Sequence, residues 1–557
     1  MPGIISILDI AKKSLLVNQA AMNVTGNNIA NVNSKGYNRQ EAITSPSEAY
    51  TYAGKYFGSG VDLDEVRRVY DKYLVNQFNI ETANLGKLDE KRSMLERIEA
   101  FMTSSEENGL GSAISDFFNS LQDLANDPSS SSARTAVISE ASYLADLFHS
   151  TDTELDNIEK NIDFSAEGII NEINSIAERI AGLNEEIANI ETSGVKANDL
   201  RDDRDLLLND LASKIDITYF EDDSGQVTVM INGGKALVHR TSYWSLKTEP
   251  DYSNENILTI KYIGEGNTEA DITNKIQGGK LKGLLDIRND ILKKYQSKID
   301  TLAYSIINEI NILHQAGRGL DGSTGNLFFN AISPSAYGSR ENQGSADVSS
   351  VSVLSPSSLT YDNYEIRFTS SSSFDIYNTT TKQYVSTGNS YSSGSNIDFE
   401  GLRVVLSDSG GTPASGDIFY IKPGEGAAKN IEVNSTISSN INKIAAGLTS
   451  NPGDNENALQ MGELQFSPIL DSGSSTFEEY YGNILSDLGN DVLLSTDEYN
   501  TQEGLITALK ERIESKSGVS LDEELSNLLK FQHSYQASAK LITVADELLD
   551  TLVNLIR

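Results

Sequence analysis

The two ends of the chain carry the same seven-residue repeat of apolar positions. At the start of the chain, Ser6 and Asp9 have the spacing of a capping box and predict the beginning of a helix. At the end, Ser520 and Glu523 have the same spacing. The first row holds Leu8, Leu15, Met22 and Ile29, and the last row holds Leu521, Leu528, Tyr535, Ile542, Leu549 and Ile556. Leu525, Ala539 and Val553 are predicted to fill the intervening positions of the last helix. Because neither helix can bury its apolar stripe alone, the pattern predicts that the helices pair with each other and with further copies.

The pattern between the ends changes period several times. A helical region is predicted from about residue 71 to 214, and its isoleucines repeat at seven-residue spacing between Ile162 and Ile190. Alternating apolar residues then predict a β-hairpin around the turn at Asp222–Gly225. Helical spacing returns at residues 281–313, and short alternating segments within residues 333–423 predict a small all-β domain.

These patterns predict a multi-domain chain that is mainly α with β insertions. The terminal coiled-coil helices form an axial core domain from residues 1–70 and 515–557. Residues 71–332 and 424–514 form a helical rod or bundle domain, with a β-hairpin insertion near 215–265. Residues 333–423 form an inserted all-β outer domain.

Composition narrows the classes of partner. The chain has 80 acidic and 44 basic residues, a formal net charge of −36, so it repels phosphate backbones and anionic lipid. We therefore expect neither nucleic-acid binding nor membrane insertion. There is no cysteine, which excludes disulfides and thiolate chemistry. The first residues lack a basic stretch before an apolar one, so no cleaved signal peptide is predicted.

Candidate catalytic or cofactor-binding groups are not found. The four histidines, His149, His239, His314 and His533, are scattered without metal-ligand spacing. Gly317–Gly322 matches G-x-G-x-x-G, but the motif follows a helix among turn residues, whereas a dinucleotide site needs it between a strand and a helix. Residues 424–429 resemble a phosphate loop only superficially and are interpreted as a domain junction. We therefore predict no enzyme activity, no cofactor and no metal.

The segment Asn27–Gln40, NNIANVNSKGYNRQ, resembles the N-terminal signature of bacterial flagellar axial proteins. Its Arg39–Gln40 ending is most similar to the hook-associated protein 1 family, and residues 453–459, 517–524 and 535–540 resemble further blocks of that family. Ser34–Lys35 stands where members usually carry Thr-Pro, a mild departure that leaves the turn intact. The signature positions are Asn28, Ile29, Ala30, Asn31, Asn33, Gly36, Tyr37, Arg39 and Gln40.

The resemblance implies a structural subunit at the hook–filament junction of the flagellum. Its terminal helices would order on assembly and line an axial tube, and the subunit would form a ring with copies of itself. The hook protein, hook-associated protein 3 and a cytoplasmic export chaperone are the other implied partners. The resemblance also implies extracellular localisation, after type III export without a cleaved signal peptide.

Two alternatives remain open from the sequence. The first is another axial protein of the rod, hook or flagellin class, although the isoleucine repeat between Ile162 and Ile190 favours the junction family. The second is a secreted enzyme or adhesin whose tyrosine-rich β domain contacts glycans. No convergent group of catalytic residues in the sequence supports this alternative.

Overall fold

The structure begins with one helix, which is followed by four short strands that we call the connector. The computed structural model describes residues 2–52, 54–103, 109–192, 194–251 and 257–556. Helix α1 begins at Pro2 rather than near Ser6, because proline suits the first turn of a helix. Ser6 instead lies inside α1 and accepts a hydrogen bond from the Tyr50 hydroxyl (2.8 Å). The connector pairs β1 with β4 and β2 with β3, all antiparallel. The bounds are α1 Pro2–Ala30, β1 Gln40–Pro46, β2 Tyr50–Tyr52, β3 Lys55–Phe57 and β4 Val61–Arg68.

Four helices then cover the region for which the sequence predicts helical structure. They are α2 Lys72–Thr103, α3 Leu110–Asn126, α4 Ser131–Glu191 and α5 Asn198–Lys214. Helix α4 is 61 residues long, and the Ser130 side chain caps its start by accepting from the Ala133 amide. Most of its isoleucine repeat is buried, but Ile190 at its end is 43% exposed. The repeat is therefore buried within the molecule along most of α4, and only its last member, Ile190, is exposed.

Two small antiparallel sheets follow α5, where the sequence predicts a single hairpin insertion. The first has the strand order β5-β6-β7-β8, and the second has the order β11-β10-β9. Their bounds are β5 Ile217–Glu221, β6 Val227–Ile231, β7 Lys235–His239, β8 Ser242–Tyr243, β9 Ser245–Asp251, β10 Ile257–Ile263 and β11 Glu269–Asp271. Helix α6 spans Gly279–Asp286 and continues through one π-helical turn into α7, Leu292–Ala316.

The β domain has its own hydrophobic core between two sheets. One sheet has the order β12-β19-β14-β15-β16, and the other has the order β13-β18-β17. Ile366, Phe368, Val404 and Phe419 are among the side chains buried between them. The strands are β12 Ser335–Gly338, β13 Asp347–Val353, β14 Tyr364–Ser370, β15 Ser373–Asn378, β16 Gln383–Ser390, β17 Asn396–Phe399, β18 Leu402–Ser407 and β19 Ile418–Lys422.

The chain then returns along the helices that precede the β domain. The Thr476 and Glu479 pair forms a capping box at the start of α11, and the Phe118 and Phe477 rings stack with centroids 5.4 Å apart. One continuous core joins α11 to the helices from α2 to α7, and we call this helical unit the rod. The returning helices are α8 Ala427–Asn430, α9 Ser435–Ser438, α10 Glu456–Glu463, α11 Phe477–Ser517 and α12 Leu521–Ile556.

This architecture confirms the predicted fold class, mainly helical with inserted β structure and long helices at both ends. Among the helices within the described ranges, none is both long enough and apolar enough to cross a membrane.

Candidate assembly site

Helices α1 and α12 pack against each other as an antiparallel pair. Asn28 contacts Glu524, whereas Ser14 contacts Ser538 at 2.7 Å, so the contacts run in opposite directions along the two helices. The buried seam is made of small and polar residues rather than large apolar ones. Its buried members are Ala11, Ala21, Thr25, Asn28, Glu524, Ser538 and Ala545.

The predicted apolar rows lie at the edge of this seam. Leu8, Leu15, Met22 and Ile29 on α1 are half-buried, as are Leu528, Tyr535, Ile542 and Leu549 on α12. Leu521 is 46% exposed, and the side chain of Ile556 lies outside the described residues. In the second row predicted for α12, Leu525 and Val553 are exposed and Ala539 is half-buried, whereas Glu524, Ser538 and Ala545, one position earlier in the repeat, are buried.

The helix pair leaves a large apolar surface uncovered. Among the described side chains of α1 and α12, ten large apolar ones are more than one-third exposed, a density that isolated globular proteins avoid. They are Ile5, Ile7, Leu16, Leu521, Leu525, Leu529, Leu541, Val544, Leu548 and Val553. This exposed apolar surface therefore indicates that the helix pair packs against another protein chain.

Asn28 is the centre of a buried hydrogen-bond network that joins α1, the turn after it and α12. Its Nδ2 group donates to the Gln40 carbonyl (2.9 Å) and to Glu524 Oε2 (3.0 Å). Its Oδ1 atom accepts from the Gln40 amide (3.0 Å) and the Tyr37 hydroxyl (2.9 Å). Asn28 is 1% exposed, so its bonds to Gln40 and Glu524 are shielded from water. Burial, with Asp199, Asp202 and Glu524 nearby, raises the pKa of Tyr37 above its ordinary value and keeps its hydroxyl a donor.

Arg39 connects the same turn to the junction of α11 and α12. Its amide donates to the Ser517 carbonyl (2.9 Å) at the end of α11. Its guanidinium lies 3.1 Å from Glu41, 3.6 Å from Glu523 and 3.8 Å from Glu524. Since Glu523 and Glu524 are in the first turn of α12, one arginine holds the start of that helix against the turn.

Asn38 and Gln40 tie the turn to α5 of the rod. Asn38 donates its amide (3.0 Å) and its side chain (2.7 Å) to Asp202, and Gln40 Nε2 donates to Asp199 (2.9 Å). Arg68, at the end of β4, forms ion pairs with Asp202 (2.5 Å) and Asp205 (2.8 Å). Burial alone would lower the pKa of Arg68, but Asp205 and Asp202 raise it above its ordinary value. Polar contacts therefore hold the turn after α1 and the connector against α5 and the start of α12. We call this set of contacts the signature joint.

The remaining signature residues shape the turn. Asn31 accepts from the Ser34 hydroxyl (3.0 Å) and donates to Asn27. Ile29 is half-buried, whereas Ala30 and Asn33 are exposed and make no side-chain contact with the joint that the structure records. The structure thus brings Asn28, Tyr37, Arg39 and Gln40 together.

Gly36 is required in the signature joint for two physical reasons. Its φ of +80° lies in the left-handed region, and a Cβ there would sit 2.5–2.6 Å from Leu206 side-chain carbons. We expect Gly36→Ala to lower the apparent free energy of unfolding by about 2 kcal/mol, measured by urea denaturation followed by circular dichroism. Adding Leu206→Ala should relieve the clash but not the backbone strain. The matched control is Gly26→Ala inside α1, where the added Cβ meets nothing within 4 Å; equal effects at both positions would contradict this interpretation.

The histidines do not form a site in the part of the chain that the structure describes. His314 is buried, and its Nε2 accepts from the Ala445 amide (3.0 Å) while Nδ1 contacts the Asn326 carbonyl (2.7 Å). Burial lowers the pKa of His314 to about 4, which keeps the ring neutral and structural. Across the described ranges, no group of three or more histidine or acidic side chains could hold a metal ion.

Comparisons with known proteins match this architecture. Residues 95–329 match the "Flagellar hook-associated protein FlgK helical domain" family, and residues 513–555 match the "Flagellar basal body rod FlgEFG protein C-terminal" family. Flagellar hook-associated protein 1 of Escherichia coli is 28% identical, covering 99% of this chain and all of the relative. The Bacillus subtilis protein of the same name is also 28% identical, over 98% and 97%. The solved flagellar hook junction protein FlgK of Burkholderia pseudomallei has the same fold, with a TM-score of 0.69 and 20% identity over 79% of this chain and all of that one.

The signature joint contains residues that sequence reasoning missed. Arg68, Asn198, Asp199, Asp202 and Asp205 are essential to the docking of the turn but lie outside the motif. The sequence shows only that these residues are charged or polar. Such residues in an amphipathic helix are ordinarily exposed to solvent, so their type does not predict that they are buried in a contact. The long-range contact that buries them has no counterpart in the local pattern.

Proposed function

We propose that the chain, which is similar over nearly its whole length to flagellar hook-associated protein 1, is a structural subunit of the bacterial flagellum that joins the hook to the filament. The observation that carries this proposal is the uncovered apolar surface of the α1–α12 pair. A tube of such subunits would bury this surface between neighbouring copies, and that burial would drive assembly. The role is mechanical rather than catalytic.

The half-buried rows are the proposed assembly faces. Leu8, Leu15, Met22 and Ile29 on α1, with Leu528, Tyr535, Ile542 and Leu549 on α12, border both the seam and the exposed apolar side chains. Leu521 and Ile556 complete the row proposed for α12. They are therefore placed to contact a neighbour without leaving the pair. The signature joint would fix the direction in which the pair projects from the rod.

The partners follow from a position at the junction. Copies of the chain would form a ring, with the hook protein on one side and hook-associated protein 3 on the other. Before export, a cytoplasmic chaperone would cover the apolar surface of α12. Export would use the flagellar type III channel without a cleaved signal peptide. In the assembled part, residues 1–70 and 515–557 would form the axial core, 71–332 and 424–514 the rod, and 333–423 the outer domain.

Immunogold labelling of intact flagella tests this proposal. Antibody against the β domain, whose surface faces outward in the proposed arrangement, should label only the boundary between hook and filament. Cells that lack the chain should have hooks without attached filaments, and the plasmid-borne chain should restore both. Label along the whole filament, or at the base of the hook, would contradict the proposal and favour a flagellin or rod protein.

A further inference from the structure

The rod has a protruding aromatic side chain on the outer face of α4. Phe164 is 79% exposed and lies opposite the buried isoleucines of that helix, so it points away from the other helices of the rod. Lys160, four positions before it, and Glu167, three positions after it, are exposed on the same face. Neither of them forms an ion pair with another described residue. We call these three side chains the α4 knob.

An open groove of about 520 Å³ lies between α2 and α11, and we call it the α2–α11 groove. Leu88 and Leu494 are its apolar lining, and Leu494 is 61% exposed. Lys87 on α2 and Asp497 on α11 also line the groove, and in the part of the chain that the structure describes neither forms an ion pair. The groove therefore has an accessible apolar centre with one basic and one acidic side chain beside it. The other lining residues are Asn84, Glu498, Thr501 and Gln502.

The knob and the groove lie on opposite sides of the rod at nearly the same level. Helix α7 separates α4 from α11 and runs antiparallel to both. Two adjacent lysines of α7 pair with Glu159 on α4 and with Asp491 on α11, each at 3.1 Å, so these two acidic residues are level with each other. Phe164 is five residues beyond Glu159, and Leu494 is three beyond Asp491. The two apolar side chains therefore differ in level by about 3 Å.

The charges of the knob and the groove have complementary orders along the rod. Helix α4 runs in the same direction as α11, toward the signature joint, so Lys160 lies farther from the joint than Glu167. The start of α2 and the end of α11 are level there, because Lys516 pairs with Asp71 (2.7 Å). Asp497 is about 30 Å from that end of α11, whereas Lys87 is about 22 Å from the start of α2. In the groove, the acidic side chain is therefore the one farther from the joint.

We propose that the α4 knob of one copy inserts into the α2–α11 groove of a second copy, which stands beside it in the same direction. Phe164 enters the apolar centre of the groove, Lys160 faces Asp497 and Glu167 faces Lys87, and an aromatic anchor surrounded by charged pairs is typical of a protein interface. A copy in the inverted direction would bring like charges together. Because the two surfaces differ and lie on opposite sides of the rod, the contact is heterologous and can repeat around a ring. The inference rests on the proposed function, in which neighbouring copies surround one axis.

Disulfide cross-linking in isolated flagella tests this interface. The chain has no cysteine, so Phe164→Cys combined with Leu494→Cys introduces its only two thiols. Helix α7 keeps the two positions apart within one copy, whereas the interface brings those of neighbouring copies within the reach of a disulfide. Mild oxidation should convert most of the chain to dimers and larger multimers on a denaturing gel without reductant. The matched control is Ser139→Cys with Leu494→Cys, which should stay monomeric, because Ser139 is an exposed residue of α4 about 38 Å from Phe164.

Charge reversal gives a second measurement, which leaves Phe164 in place. Lys160→Glu puts a carboxylate against Asp497 of the neighbouring copy, so the fraction of hooks that carry filaments, counted by electron microscopy, should fall severalfold. Adding Asp497→Lys should restore that fraction, because the pair is then present with its signs exchanged. Failure of this rescue, or a normal fraction with Lys160→Glu alone, would overturn the proposal.

Immunogold labelling of the same flagella separates this proposal from the proposed function. Label at the hook–filament boundary without cross-linking, or with equal cross-linking of the control pair, overturns the lateral interface and leaves the proposed function in place. Absence of label at that boundary overturns the proposed function and the interface with it.

Discussion

Cells whose only copy of the chain carries Ile542→Asp are expected to have hooks without filaments. Ile542 is half-buried beside the seam of the α1–α12 pair, where a carboxylate costs several kcal/mol unless it is paired. Leu528→Asp, two turns from the start of α12, should act in the same way. Electron microscopy of the cells gives the result, and circular dichroism of the purified chain should show that the rod melts at an unchanged temperature.

The control for these variants is Ser526→Asp. It adds the same charge two residues from Leu528, at an exposed position that the pair does not cover. We expect filaments on these cells. Normal filaments with Leu528→Asp and Ile542→Asp, or equal failure with Ser526→Asp, would mean that the proposed faces do not carry assembly.

Replacing Asn28 with alanine is expected to release α12 from the signature joint. The change leaves the Gln40 amide and carbonyl, the Tyr37 hydroxyl and one Glu524 oxygen without their shared partner. An unsatisfied buried group costs about 1–3 kcal/mol, so the helix pair should lose about 3 kcal/mol even if water reaches part of the space. Hydrogen exchange should show α12 opening roughly a hundredfold more often, while the rod keeps its protection.

Asn23→Ala is the matched control for Asn28→Ala. Asn23 lies on the same helix, is exposed and faces away from the pair, so its replacement should leave exchange of α12 unchanged. Arg39→Ala should have an intermediate effect, because Glu41 and Glu523 are exposed partners and the buried Glu524 lies 3.8 Å from the guanidinium. If Asn28→Ala and Asn23→Ala behave alike, the network does not hold the helix.

Periodicity locates the helices of this chain more reliably than it identifies the side of each helix that is buried. The seven-residue repeat finds α1 and α12, but a row one position away has the same period. Large apolar residues mark one edge of the seam, while Glu524, Ser538 and Ala545 form its middle, because small or hydrogen-bonded groups let the helices approach closely. Hydrophobicity alone therefore selects Leu525 and Val553, which are exposed.

The signature segment Asn27–Gln40 can be recognised in the sequence, but the residues that it contacts are known only from the structure. The local sequence does predict the turn and the need for glycine at position 36. The partners of Asn38 and Gln40 lie about 160 residues further along on α5, and no local pattern relates the two segments. The same limit applies to the β domain, where alternation predicts short strands within residues 333–423 but the order in which the strands pair depends on contacts between distant segments.

The two chain segments that enter and leave the β domain run side by side. The Asn330 amide donates to the Glu432 carbonyl (2.9 Å), and the Asn434 amide donates to the Phe328 carbonyl (2.8 Å). A domain whose ends are clamped together in this way behaves as an interchangeable cassette. The domain can therefore change in size or sequence without changing the register of the helices to which it is attached.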